Sequence, residues 1–146
     1  MKRIGISVLI LIAQLHANEP QSYTPGLGDM MGAVQIRHAK LWFAGQNQNW
    51  KLATYELDEI KEGLEDAAVY HPIFKGKPIA KMMKISIAPA LDQVEESIKQ
   101  KNSSQFIKAF ETLSNACTSC HKNSGYGFIV IERPSTPPFS NQRFKP

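Results

Sequence analysis

The sequence predicts an all-α protein: an antiparallel four-helix bundle with an extended C-terminal strap. Three observations predict it. Apolar residues recur at three-and-four spacing in four segments between residues 27 and 124, the connections between these segments are short, and the one β-prone run, Phe128 to Ile131, cannot make a sheet alone. A chain of 146 residues with 42% hydrophobic and 21% charged side chains has enough apolar material for one domain with its own core, which excludes disorder and collagen-like architecture.

The chain opens with Lys2 and Arg3 ahead of an apolar run from Ile4 to Leu15, closing on Leu15, His16 and Ala17. That run is too short to span a bilayer comfortably, and its charged start and small final residue are those of a secretory signal peptide over residues 1–17, cut after Ala17. The domain is then 18–146, exported and soluble, with a tail from about residue 126. No cysteine follows the apolar run, so a lipid anchor is not expected, and no later stretch reaches the roughly 20 apolar residues of a transmembrane helix. The net charge of +4 falls to +2 without Lys2 and Arg3, and the basic residues are not clustered, so nucleic acid is not an expected partner.

Asn18 to Gly28 is rich in Pro, Gly and polar residues and reads as a leader. The first helix runs from about Leu27 to Ala44, with Met31, Val34, His38 and Leu41 on one stripe and Gly45 as its stop. The second begins after Asn47 or Asn49, either of which can cap it. Trp50, Ala53, Leu57, Ile60, Leu64 and Ala67 form its stripe, while Lys51, Glu56, Asp58, Glu59, Lys61, Glu62 and Glu65 form a solvated face. His71 and Pro72 end it.

The third helical pattern, from Ile79, meets Pro89, which removes an amide donor and predicts either a kink or a short helix followed by a second one. Leu91, Val94 and Ile98 then resume the stripe. The fourth helix starts at Ser103 or Ser104, puts Phe106, Phe110, Leu113, Cys117 and Cys120 on one face, and ends at Gly125 and Gly127. Beyond it, Phe128 to Ile131 should lie as a strap over apolar surface, followed by a proline-bearing tail.

The only two cysteines fall within Cys117, Thr118, Ser119, Cys120, His121, the C-x-x-C-H of c-type haem attachment. The spacing has a physical reason: residues at i, i+3 and i+4 share a helix face, so two thiols can join the haem vinyl groups while the adjacent imidazole meets the iron. A thioredoxin-like disulfide would want a βαβ context, and a zinc site would need further ligands near by.

With this motif late in the fourth amphipathic helix, a secretory leader and this length, the chain resembles the class II c-type cytochromes, cytochrome c′ and its six-coordinate relatives. The resemblance covers about residues 27–124. It implies one covalent haem c held by Cys117 and Cys120, with His121 as the proximal metal ligand. The strap from Tyr126 to Pro146 is longer than the family usually shows.

If helices one and four pair antiparallel, the first turns of helix one lie level with the end of helix four, where Met30 and Met31 sit. Met31 shares the stripe of Val34 and Leu41 and is the better pointed sixth ligand; His38, two turns on, is the bis-His alternative. A third option follows from the family's first-helix Arg, which resembles Arg37: Leu41 would cover an open iron and Arg37 would bind a haem propionate. His71 reads as a helix-end residue, and Trp42 and Trp50 as packing around a turn.

The expected function is one-electron transfer in the periplasm or an equivalent compartment, with redox proteins as partners and room for a homodimer. A gas-binding or gas-sensing haem protein with an open distal site is the alternative. No paired acid and base or activated nucleophile surrounds the motif, so the chain is not expected to be an enzyme.

Overall fold

The structure, a computed structural model, describes residues 23–146; the signal-peptide reading of 1–17 lies outside the described residues. It is all-helical, with α1 Leu27–Gln46, α2 Trp50–Tyr70, α3 Ile79–Ser86, α4 Ala88–Lys99 and α5 Ser103–Ser124. No strand forms among the described residues, and the sole bridge joins Phe74 to Lys77 within the loop before α3. No helix among them is long and apolar enough to cross a membrane.

Local chemistry sets the helix ends. Asn49 accepts the Leu52 amide at 3.3 Å to cap α2, and Asn102 accepts the Gln105 amide at 3.1 Å to cap α5. Asn47 works instead at the end of α1, where its amide donates to the Phe43 carbonyl at 2.8 Å. The third predicted helix is two helices, because the Pro89 nitrogen cannot donate to the Ile85 carbonyl; Ile87 is the joint, bonding back to Met83 and accepting from Leu91. At the end of α5, Gly125 takes φ 92° and satisfies the open carbonyls in a left-handed turn: its amide donates to Lys122 and the Tyr126 amide to His121.

The core gathers where the stripes predict. Ala53, Leu57, Ile60, Leu64 and Ala67 of α2, Leu91, Val94 and Ile98 of α4, and Phe106, Phe110 and Leu113 of α5 are buried. Along α1 the buried residues begin only at His38; Val34 and Met31, one and two turns earlier, are half-buried. Contacts between α1 and α5 descend α5 as they ascend α1: His38 lies on Phe110 and Ser114, Trp42 on Phe110 and Phe106, and Gly45 on Phe106.

Two expectations are corrected. Glu56, placed on the solvated face of α2, is buried, because Arg37 reaches it at 3.2 Å and supplies the opposite charge its burial requires. The run Phe128 to Ile131 does not cover apolar surface as a block. Phe128 sits in the turn that the Ile129 amide closes on the Tyr126 carbonyl, and it and Val130 face outward, 80% and 56% exposed. The anchor of the tail is Phe144, buried against Phe43 with ring centroids 5.6 Å apart. Between these points Arg133 pairs with Glu111 and lies over Trp42, and Lys40 lies over Phe139.

Two changes test this packing. A Cβ on Gly45 would stand 2.1 Å from the Phe106 ring, so Gly45→Ala should destabilise the fold by about 1–3 kcal/mol through overpacking. Phe144→Ala should cost roughly 1.5–3 kcal/mol by losing one buried aromatic side chain. Chemical denaturation reads both, and an unchanged midpoint in either variant would contradict the contact it removes.

Candidate functional site

Beyond Ser114 α5 runs on to Ser124, and there its stripe carries Cys117, Cys120 and His121 instead of aromatic residues. Opposite them, α1 offers Gly28, Met31, Gly32, Val34, Gln35 and His38. The small glycines do not fill the space between the helices, and a cavity of about 290 Å³ opens. Its further walls come from Ile60 and Leu64 of α2, Ile79 and Met83 of α3, Ile87 at the joint, and Phe74, Tyr126, Ile129 and Ile131 from the loops. The lining is mostly apolar with a few convergent polar groups, the make-up of a site for a large apolar ligand.

Both cysteines are free thiols. Burial pushes the Cys117 thiol up to about 12, reinforced by Cys120, and burial also raises Cys120. Both therefore remain protonated at neutral pH, unlike the reactive thiolates of redox enzymes. No group of three or more His, Cys, Asp or Glu side chains able to hold a metal ion gathers among the described residues, so nothing there offers the closed ligand set of structural zinc.

The two cavity histidines have defined tautomers. His121 Nδ1 lies 3.0 Å from the Ile129 carbonyl, which can only accept, so Nδ1 carries a proton and, in the neutral ring, Nε2 is the nitrogen with the lone pair. Ligating histidines are commonly held this way, the second ring nitrogen donating to a carbonyl or carboxylate. His38 is set by a longer chain of donors. The Ser114 hydroxyl donates to the Phe110 carbonyl at 2.9 Å, so it must accept from His38 Nε2–H, also at 2.9 Å. Nδ1 is then the bare nitrogen. Burial pushes the His38 imidazole down to about 4, so it is neutral at pH 7.

Each sequence-predicted residue has a definite place. Cys117, Cys120, His121, Met31 and His38 meet in one cavity; Met30 packs against the core without lining it. Leu41 is fully buried in the core and is not part of the lining. Arg37 also lies outside the lining, held by Glu56 at 3.2 Å and Glu59 at 2.8 Å. His71 ends α2 and donates Nε2–H to the Pro25 carbonyl at 2.9 Å, and Trp42 and Trp50 pack on Phe106.

Sequence reasoning missed Ser114, Thr118 and the Ile129 carbonyl. For Ser114 a signal existed: it and His38 are polar interruptions of two apolar stripes, and such groups survive burial by finding each other. The Ile129 carbonyl had none, since backbone acceptors carry no residue signature.

These residues fit a covalently held haem in three respects: two unpaired thiols on one helix face, an imidazole beside them with a free Nε2, and an apolar space that all three line. Compared with family models, curated proteins and solved structures, the chain finds no match in any of the three.

The depressed His38 predicts a pH dependence. Its unfolded form binds a proton below about 6.5 while the folded form resists until about 4, so stability should fall as pH drops through that window and level off beneath it. The upper limit is about 3 kcal/mol. Urea titrations of wild type and His38→Gln between pH 7 and 4 should show a steeper decline in the wild type; parallel curves would contradict it.

Proposed function

We propose that the chain is an exported c-type cytochrome of the class II kind. In this reading α1, α2, α3 with α4, and α5 make an antiparallel four-helix bundle that holds one haem c through Cys117 and Cys120. Nε2 of His121 and the Met31 thioether are the iron ligands. The activity is one-electron transfer in the periplasm or an equivalent compartment, with redox proteins as partners. One observation carries the reading: Cys117, Cys120, His121 and Met31 line the same apolar cavity, and His121 is bonded through Nδ1 so that Nε2 is the nitrogen left without a partner.

A haem bound there supplies reversible one-electron chemistry. The chain's own residues set its surroundings. Apolar walls from Ile60, Leu64, Ile79 and Met83 exclude water, and Met31 offers a soft donor from α1. His38 has no proton to give at neutral pH: its Nε2 proton is committed to Ser114 and its Nδ1 carries none.

The purified protein should keep its colour through acid-acetone extraction, and lose covalent haem when Cys117 and Cys120 are both replaced by Ser. The ferric protein should be low-spin, with a weak far-red sulfur-to-iron band that Met31→Ala abolishes. Extraction of all haem from the wild type would overturn attachment. A high-spin ferric spectrum with rapid carbon monoxide binding on reduction would replace electron transfer with gas binding. Low-spin iron lacking the band and sensitive to His38→Ala would replace Met31 with His38.

A further inference from the structure

Thr118 occupies a position that C-x-x-C-H leaves open, and its side chain does not line the cavity. Its hydroxyl grips the returning chain twice, accepting the Ile131 amide at 2.9 Å and donating to the Ile131 carbonyl at 3.2 Å. A single side chain thus satisfies both backbone groups of one residue, as a neighbouring strand would. Two residues earlier on that chain the Ile129 carbonyl accepts from His121 Nδ1–H. Gly125 at φ 92° and the Ile129 amide bonded to the Tyr126 carbonyl at 2.9 Å turn the chain back over the helix end. Thr118 and His121 lie three residues apart on α5, on neighbouring parts of its surface, so a segment pinned at Ile131 is carried past the imidazole in fixed register.

We infer that Thr118 is a positioning residue for His121: by holding Ile131 through two hydrogen bonds it presents the Ile129 carbonyl to Nδ1–H, and so fixes the tautomer and the donor strength of Nε2 toward a haem iron. The inference rests on the haem reading above for its last clause only. A carbonyl that accepts from Nδ1–H makes the imidazole a stronger base at Nε2, which favours the oxidised, more positive iron. Loss of the grip leaves Nδ1–H to water and weakens that donation.

The test compares the wild-type holoprotein with Thr118→Val, which keeps the shape and removes the hydroxyl, and Thr118→Ser, which restores it. In Thr118→Val the reduction potential should rise, and the Ile131 amide and the His121 Nδ1–H proton of the reduced protein should exchange with solvent at least tenfold faster. Thr118→Ser should stay at wild-type values in all three. A wild-type potential in Thr118→Val alongside faster Ile131 exchange would overturn the inference, as would Thr118→Ser shifting as far as Thr118→Val. If Thr118→Val does not accumulate, nitrogen NMR of the wild-type His121 ring decides: a protonated, slowly exchanging Nδ1 supports the arrangement and a bare Nδ1 overturns it. The ring measurement applies to the protein as purified, so a chain without haem refutes the haem reading while the tautomer of His121 is still read independently.

Discussion

Phe106 sits against Gly45 with no space for a further carbon, and this close approach sets how α1 and α5 meet along their whole contact. From that point Trp42 reaches Phe110 and His38 reaches Ser114, each step moving up one helix and down the other. Fixed register is what lets two distant parts of the chain share a site. Were α5 shifted by one residue, its stripe would rotate by about 100° and the cysteine face would turn away from α1. The seam is dense and aromatic around Trp42, Phe106 and Phe110. It opens beyond Ser114 because α1 there supplies Gly28 and Gly32 where bulkier residues would have closed the gap.

Polar groups inside this structure are paired, and the pairing settles protonation. Glu56 is buried and carries Arg37 with it, so Arg37 is directed toward α2 and away from the cavity. His38 is fixed by Ser114 and His121 by a backbone carbonyl. Among the described residues no buried side-chain nitrogen or oxygen lacks a partner. Two imidazoles in one cavity thus present different nitrogens, Nδ1 of His38 and Nε2 of His121, for reasons that lie outside the cavity.

Much of the fold was legible because the helices carry their own stripes and most of their own stops, although Gly45, expected to stop α1, lies inside it. The heptad of α2 and the Phe106, Phe110, Leu113 face of α5 needed only spacing, and Pro89 announced the division between α3 and α4. The site was legible to the extent that it is local: Cys117, Cys120 and His121 are close together on one face, and Met31 was separated from Met30 by its stripe. What sequence could not deliver depends on partners far along the chain. Whether Glu56 is solvated depends on Arg37 nineteen residues away, and whether Phe128 is covered depends on how the turn after Gly125 sits against the helices.

The cavity has two kinds of wall. The one built by α1 and α5 comes from two long helices without a break in them. The one containing Met83 and Ile87 spans the joint between α3 and α4, where Pro89 leaves the Ile85 carbonyl without its helical donor. Mechanically, this is a stiff jaw facing a compliant one. A bulky occupant would be accommodated by bending at Ile87, and the strain of seating it would be absorbed there rather than transmitted to the face that carries Cys117, Cys120 and His121.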